Sequence, residues 1–156
     1  MEALSNVLPR YKEMRREAYA ARESLAVGEK FMMAMACLTG LMALIRIPLP
    51  GTPVPVTGQV FAVLLAGVLC GRNWGAVSQM LYVGMGAVGV PWFQGFGTGM
   101  GHLTGVTGGY LVGFVVAAWF IGYVTDRYLY ARRIEALVGV MLIVVAIIQA
   151  FGMLWL

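Results

Sequence analysis

Charged side chains are missing from most of this sequence. Residues 73–125 contain no Asp, Glu, Lys or Arg, and His102 is their only side chain that titrates near neutral pH. Hydrophobic residues make up 60% of the 156 residues and charged residues 12%, a balance outside the range of soluble globular proteins. Uncharged stretches of this length are typical of segments that lie in lipid. The composition therefore predicts an all-α, polytopic membrane helical bundle built as one domain.

The side chains needed for catalysis or metal binding are also missing. Residues 31–125 hold no carboxylate, so neither a carboxylate pair nor an acid–base partner for a nucleophile is available. Cys37 and Cys70 lie in separate apolar runs, without a second Cys or His at ligand spacing. His102 fits a hydrogen-bonded loop residue better than a catalyst. We predict no enzyme activity, including none on lipid, and no catalytic residue, metal or cofactor.

The first 30 residues differ from the rest, because they hold six Lys/Arg and five Asp/Glu. Apolar residues recur there at steps of three and four, as one stripe along a helix. The stripe consists of Tyr11, Met14, Ala18, Ala21 and Leu25. Residues 1–30 are predicted to be a polar N-terminal extension, either an amphipathic helix on the membrane surface or a solvated or partly disordered leader. A secretory signal is not predicted, because no apolar central stretch is present.

Residues 31–156 are predicted to form the transmembrane domain, because five apolar runs follow one another there. The runs are Phe31–Ile47, Val56–Cys70, Trp74–Val90, Thr107–Thr125 and Ala136–Leu156. A helix needs about 20 residues to cross a bilayer, so the second run is tilted, incomplete or partly re-entrant.

The links between these runs alternate strictly between basic and uncharged. The N-terminal extension, the link with Arg72 and the link Asp126–Glu135 are basic, whereas Pro48–Thr57 and Gly89–Val106 are uncharged. The positive-inside rule then predicts a multi-pass protein of the cell membrane, surrounded by membrane lipid, with a cytoplasmic N-terminus and both uncharged loops outside. Because the basic residues separate apolar runs and form no stripe with aromatics, nucleic acid is not a predicted partner.

The first outer loop is rich in proline, with four of the chain's six prolines in residues 48–55. Proline fixes φ and removes a donor, so this run is predicted to be an extended, stiff rim. Thr57 and Gln59 follow where the next run begins. The Gln59 amide offers donors and an acceptor, either to a ligand or to a neighbouring helix.

The second outer loop lies in a glycine-rich stretch with ten glycines between Gly84 and Gly109. Glycine allows close approach to backbone amides, and the aromatic residues Trp92 and Phe93 supply an apolar wall. This composition is typical of a small-molecule pocket. The flanking glycines fit tight helix packing as an alternative. A nucleotide site is not predicted, because the Gly-Lys-Ser/Thr ending is absent.

Arg46 is the one charge embedded near the end of a span. A cation at the bilayer centre costs about 2.5 to 3.5 kcal/mol on insertion scales, and less where the side chain reaches the interface. Beside the outer loops Arg46 is either a partner for a ligand carboxylate or an interfacial anchor.

Several ordered motifs in these loops resemble the BioY family, over about residues 45–119. They are Thr52 to Gln59 (TPVPVTGQ), Leu64 to Gly67 (LLAG), Tyr82, Gly89 to Gly95 (GVPWFQG) and Thr107 to Phe114 (TGGYLVGF). The resemblance implies the biotin-binding substrate (S) subunit of an energy-coupling-factor (ECF) transporter, which captures biotin from outside. Its implied partners are a transmembrane coupling protein and two ATPase subunits.

The resemblance also assigns roles to individual residues. Tyr82, Trp92 and Phe93 are expected to pack against the rings of biotin, while Gln59, Gln94 and backbone amides bond its polar atoms. The remaining expected binding residues are Gly95, Gly108, Gly109, Tyr110 and Arg46. In the family a small-residue face of the first helix docks on the coupling protein, and Ala36 and Gly40 match it, supported by Ala34 and Ala43.

The resemblance further implies six helices, of which this sequence holds five, so that a sixth helix with polar ligand contacts is expected beyond Leu156. The alternative function is a non-transporting helical subunit that scaffolds a membrane complex and binds no ligand.

Overall fold

The computed structural model describes residues 2–51, 55–128 and 133–156, and it divides the chain into two compact units, residues 1–30 and 31–156. The elements are α1 (Glu2–Leu44), β1 (Arg46–Ile47), β2 (Val56–Thr57), α2 (Gln59–Val88), a 3-10 turn (Gln94–Phe96), α3 (Met100–Thr104), α4 (Gly108–Arg127) and α5 (Ile134–Trp155).

The first unit is helical over residues 2–30. Most side chains of the predicted apolar stripe, from Tyr11 to Ala21, lie outside the described part of the structure. Leu25, at the end of the stripe, is about half exposed. The amphipathic surface helix therefore stays a prediction.

Among the described residues four helices are long and apolar enough to cross a membrane. They are Ser24–Leu44, Gln59–Val88, Gly108–Arg127 and Ile134–Trp155. The prediction of an all-α membrane bundle is confirmed, and the two-residue strands pair only with each other.

The second and third predicted runs both lie in α2, which counts as one of these four helices. The backbone of α2 leaves helical geometry at Gly71, with φ 77° and ψ −177°. A Cβ at Gly75 would lie 2.9 Å from the Cα of Gly67, a residue that a straight helix would place about 12 Å away. The chain therefore reverses at Gly71, and α2 is a hairpin of two short antiparallel helical segments.

The hairpin packs tightly on α4 through glycine. A Cβ at Gly67 would overlap Ile121 and the carbonyl of Ala118, and one at Gly122 would lie 2.5 Å from the backbone N of Arg72. Small residues let helices approach closely where no hydrophobic effect draws them together. The centre of the unit lies here, with Ala117, Ala118 and Ile121 fully buried.

The turn at Gly71 is held by a carboxylate from α4. Asp126 Oδ2 accepts a hydrogen bond of 2.9 Å from the backbone N–H of Arg72, where the second segment of α2 begins. An anion at that position satisfies an N–H group that lacks a helical partner and complements the helix dipole. We call Gly71, Arg72 and Asp126 the Arg72 turn.

Helix α5 covers the other side of α4, again through glycines. A Cβ at Gly109 would overlap Trp155, and one at Gly152 would overlap the ring of Tyr110. The indole N–H of Trp155 donates to the carbonyl of Gly105 at 3.2 Å. Contacts of this kind fix the start of α4 against the end of α5.

A two-stranded antiparallel ladder closes the proline-rich loop, with Arg46 opposite Thr57 and Ile47 opposite Val56. Residues 52–54 of that loop lie outside the described residues. The ladder brings the end of α1 beside the start of α2, where the N–H of Gly58 donates to the carbonyl of Ile45 at 3.2 Å.

Candidate functional site

A cavity of about 420 Å³ lies among the ladder, the proline-rich and glycine-rich loops and the first turns of α4. Its volume falls within the usual range for small-molecule sites, about 300 to 1,000 Å³. The lining residues are Leu49, Pro55, Val56, Thr57, Gln59, Val60, Phe93, Gln94, His102, Thr107, Tyr110, Leu111, Phe114, Val145, Ile148 and Gln149.

The lining is mostly apolar and includes no Asp, Glu, Lys or Arg among the described residues. Its polar groups are two hydroxyls from threonine, one from tyrosine, three glutamine amides and one imidazole. An apolar cavity with a few polar groups orients a ligand through hydrogen bonds while the walls exclude water. The lining suits a small, partly apolar molecule with neutral polar atoms.

Gln59 is the most firmly fixed of these polar groups. It is 4% exposed. Its Nε2 donates to the hydroxyl of Tyr82 at 2.6 Å, while its Oε1 accepts from Thr57 Oγ1 at 3.1 Å. The bond to Tyr82 is the contact between helices that was the alternative interpretation of Gln59. The amide also lines the cavity, and its contact with a ligand stays a prediction.

Tyr82 and Trp92 form the support behind the cavity and are not among its lining residues. The hydroxyl of Tyr82 donates to the carbonyl of Trp92 at 3.3 Å, and the indole of Trp92 donates to the carbonyl of Tyr82 at 3.0 Å. Their ring centroids are 5.4 Å apart. These reciprocal bonds hold the glycine-rich loop against α2.

Phe93 is the aromatic residue of that loop that reaches the cavity. It is fully buried and meets Tyr82 edge-on, with ring centroids 5.5 Å apart. A Cβ at Gly86 would overlap its ring, so that glycine makes room for it. Of the three predicted ring-packing residues, the structure brings only Phe93 into the cavity wall.

Gln94 lines the cavity, whereas Gly95 and Arg46 lie beside each other and are not among its lining residues. Gly95 has φ 70°, a conformation that favours glycine, and a Cβ there would lie 3.0 Å from Arg46 Nη1. The Arg46 side chain is exposed and reaches the glycine-rich loop.

Among the predicted residues at the start of α4, only Tyr110 lines the cavity. A Cβ at Gly108 would overlap the carbonyl of Leu103, and Gly109 packs on Trp155. The structure thus gives these two glycines the helix-packing role that was the alternative interpretation.

The predicted docking residues Ala36 and Gly40 point into the bundle. Ala36 is fully buried, and a Cβ at Gly40 would lie 2.8 Å from Trp92. Both positions are covered within the bundle, and their docking role stays a prediction. Between residues 31 and 44 the exposed small side chains of this helix are Ala34 and Cys37.

Sequence reasoning missed several lining residues, above all His102, Thr107 and Gln149. Gln149 carried a signal, since it is the one amide in the long apolar run of α5. His102 was assigned to a loop without a ligand role, because its approach to Phe93 depends on how the loop folds. Among the described residues no three His, Cys, Asp or Glu side chains come together as a metal site.

Comparison with known proteins gives a family and several relatives. The family model described as "BioY family" matches residues 19–156. The probable biotin transporter BioY of Methanothermobacter thermautotrophicus is 47% identical over 51% of this chain and 50% of its own length. The probable biotin transporter BioY of Pyrococcus horikoshii is 38% identical over 67% of this chain and 59% of its own length. This chain therefore spans between a half and three fifths of these relatives.

The fold also matches a solved structure. A crystal structure of the S-component for biotin from an ECF-type ABC transporter superposes with a TM-score of 0.76 at 22% identity. The match covers 85% of this chain and 72% of that one, and at this identity it shows the fold alone. Together with the four apolar helices, the relatives make this chain a multi-pass membrane protein. Because the family model covers most of the sequence, the chain belongs to the BioY family.

Proposed function

We propose that this chain is the substrate-capturing subunit of an ECF-type biotin transporter and that it binds biotin in the cavity beside Gln59. The observation that carries the proposal is the cavity itself, which is apolar, free of charged side chains among its described residues, and lined by three glutamine amides. A cyclic urea such as that of biotin presents two N–H donors and one acceptor, which amides can satisfy. The apolar rings and chain of biotin match the remaining walls.

The proposal also covers the orientation of the chain in the membrane and the subunits that it works with. Basic residues flank the Arg72 turn, whereas the proline-rich and glycine-rich loops are uncharged. By the positive-inside rule the N-terminus would lie in the cytoplasm and the cavity at the outer face. A transmembrane coupling protein and two ATPase subunits would supply the energy, since the sequence lacks the Gly-Lys-Ser/Thr ending of a phosphate-binding loop. This chain would perform no chemistry of its own.

The purified chain in detergent or lipid nanodiscs tests this function by equilibrium binding of radiolabelled biotin. We expect saturable binding that unlabelled biotin displaces and that riboflavin and thiamine do not. Failure to bind biotin by a folded sample, or displacement by the other two vitamins, would overturn the proposal.

A further inference from the structure

One side chain that titrates near neutral pH lies among the described lining residues of the cavity, and the proposed function does not yet use it. His102, on the short helix α3, is half-buried and lines the cavity. Its ring stacks on Phe93, with centroids 5.2 Å apart and planes inclined by 18°. On another side a Cβ at Gly97 would overlap the imidazole, so the loop backbone also lies against it. The ring is therefore held in a defined position.

The charge on biotin makes this position important. Biotin carries an uncharged urea at one end and a carboxylate at the other, and a carboxylate is costly to bury without a charged or multiply donating partner. Gln59 is almost fully buried and neutral, which suits the urea. Among the described lining residues, His102 is the one side chain that can carry a positive charge.

The other groups around His102 supply no comparable partner within the lining. Tyr110 from α4 contributes a hydroxyl, which cannot carry a positive charge, while α2 and α5 contribute the amides of Gln59 and Gln149. Arg46 is permanently charged, but it lies by Gly95 at the exposed side of the loop.

We propose that His102 binds the carboxylate of the captured biotin and that its protonation makes the affinity for biotin pH-dependent. This inference rests on the proposed function and adds a contact residue and a regulatory property to the same site.

The direction of the pH effect follows from burial and charge. Partial burial lowers the pKa of His102 from its ordinary value of 6.5, so the imidazole of the empty cavity is neutral at pH 7. A carboxylate beside it favours the protonated form and raises the pKa in the complex. Binding therefore takes up a proton, and affinity rises as the pH falls from 8 to 6. The carboxylate of biotin stays ionised over this range, since aliphatic carboxyls titrate near pH 4.3, roughly as Glu does.

His102 is the only histidine of the sequence, which allows a direct measurement on the unmodified chain. With any polyhistidine tag removed, NMR of ¹³C-labelled histidine reports its titration without and with saturating biotin. We expect the midpoint to rise by about one pH unit or more with biotin, the size of shift that an adjacent opposite charge produces. The neutral methyl ester of biotin should leave it unchanged. An unchanged midpoint in a sample saturated with biotin would overturn the inference.

Binding of radiolabelled biotin at pH 6 and pH 8 gives the second test. We expect the wild-type chain to bind roughly three- to fivefold more tightly at pH 6 than at pH 8, because the full factor of about ten for each unit of pKa difference is reached only below both pKa values. His102→Gln should bind equally at both values, whereas Arg46→Gln should keep the ratio of the wild type. Thr104→Ala, an exposed change on the same helix, is the control and should behave as the wild type.

The outcomes separate the two proposals. A wild-type chain that binds biotin equally at pH 6 and pH 8, or a His102→Gln variant that keeps the ratio, would contradict the role of His102 and leave biotin capture standing. A folded wild-type chain that binds no biotin at either pH would contradict the proposed function as well. Should His102→Gln fail to fold, the NMR titration of the wild type decides the question.

Discussion

The two ends of α4 are built from opposite kinds of residue. Its first turns line a cavity of about 420 Å³ without a charged side chain among the described residues, whereas its last turn contributes Asp126 and Arg127 to a hollow of about 350 Å³ that Arg72 also lines. The helix has 20 residues, so these ends are about 30 Å apart. Charged side chains are thus absent from the described lining of the cavity and concentrated at the end where the chain reverses.

The need of backbone N–H groups for hydrogen-bond acceptors explains the contrast. At the Arg72 turn, α2 stops and restarts within one residue, which leaves helix N–H groups without a partner in the hairpin. Asp126 supplies an acceptor to one of them. At the cavity end the ladder and the loops satisfy backbone groups by themselves, so neutral side chains remain for a ligand.

The largest expected effect is on the packing of the Arg72 turn. Gly122→Ala would place a Cβ 2.5 Å from the backbone N of Arg72, and the backbone cannot rotate away as a side chain can. We expect destabilisation of about 1 to 3 kcal/mol or more, as for other overpacked interiors. Thermal unfolding in detergent measures it, with Gly84→Ala as control, because a Cβ there meets nothing within 4 Å. Equal unfolding temperatures for the two variants would refute the close packing.

A smaller loss of stability is expected from the charge at the same turn. Asp126→Ala removes the acceptor of the Arg72 N–H and should cost about 1 to 2 kcal/mol, since hydrogen bonds to charged groups exceed neutral ones. Asp126→Asn keeps an acceptor oxygen and should lose less. The same unfolding assay compares them. If both variants match the wild type, the carboxylate does not anchor the turn.

Substitution of the two buried glutamines of α2 distinguishes a residue that lines the cavity from one that only packs in the interior. Gln59→Ala should weaken biotin binding about tenfold, the worth of one good hydrogen bond. Gln79→Ala is the matched control, because Gln79 is fully buried, donates to Thr39 Oγ1 at 3.2 Å and does not line the cavity. It should lower the unfolding temperature but leave affinity unchanged. Equal affinity loss in both variants would show a general effect of disrupting α2.

The smallest expected effect is a pH dependence of stability at the cavity end. The folded, biotin-free chain has a lowered His102 pKa, so the unfolded chain binds the proton more readily. This contribution to stability is complete above pH 6.5 and is lost as the pH falls below it. Unfolding temperatures between pH 7.5 and 5.5 should therefore fall more for the wild type than for His102→Gln. Parallel curves would show that burial of the imidazole has no such effect.

The sequence predicted the membrane bundle and the two loops that surround the cavity, because apolar runs, prolines and glycines act locally. It placed the link between the second and third runs at Arg72, where α2 reverses, but it did not predict that Asp126, 55 residues beyond Gly71, holds this turn. Because such contacts join distant parts of the chain, Gln149 and His102 were also missed as lining residues. Their place in the cavity depends on how α5 and the glycine-rich loop pack on α4.

The roles of single glycines also depend on tertiary contacts and could not be predicted from the sequence. The pattern around Gly108 and Gly109 was equally compatible with a ligand pocket and with helix packing. Only the positions of Leu103 and Trp155 distinguish these, and both are set by tertiary contacts. Resemblance to a family gave the motif but not the role of each residue within it.

The most direct test of the cavity as the biotin site is to fill it. Val145 on α5 lines the cavity and is half-buried, whereas the next residue, Ala146, is exposed and does not line it. Radiolabelled biotin binding should therefore fall at least about tenfold in Val145→Trp, given that a bulky ring displaces the ligand from a site of limited volume. It should be unchanged in Ala146→Trp, with both variants folded by size-exclusion chromatography. Equal biotin affinity in the two folded variants would contradict the placement of biotin in this cavity.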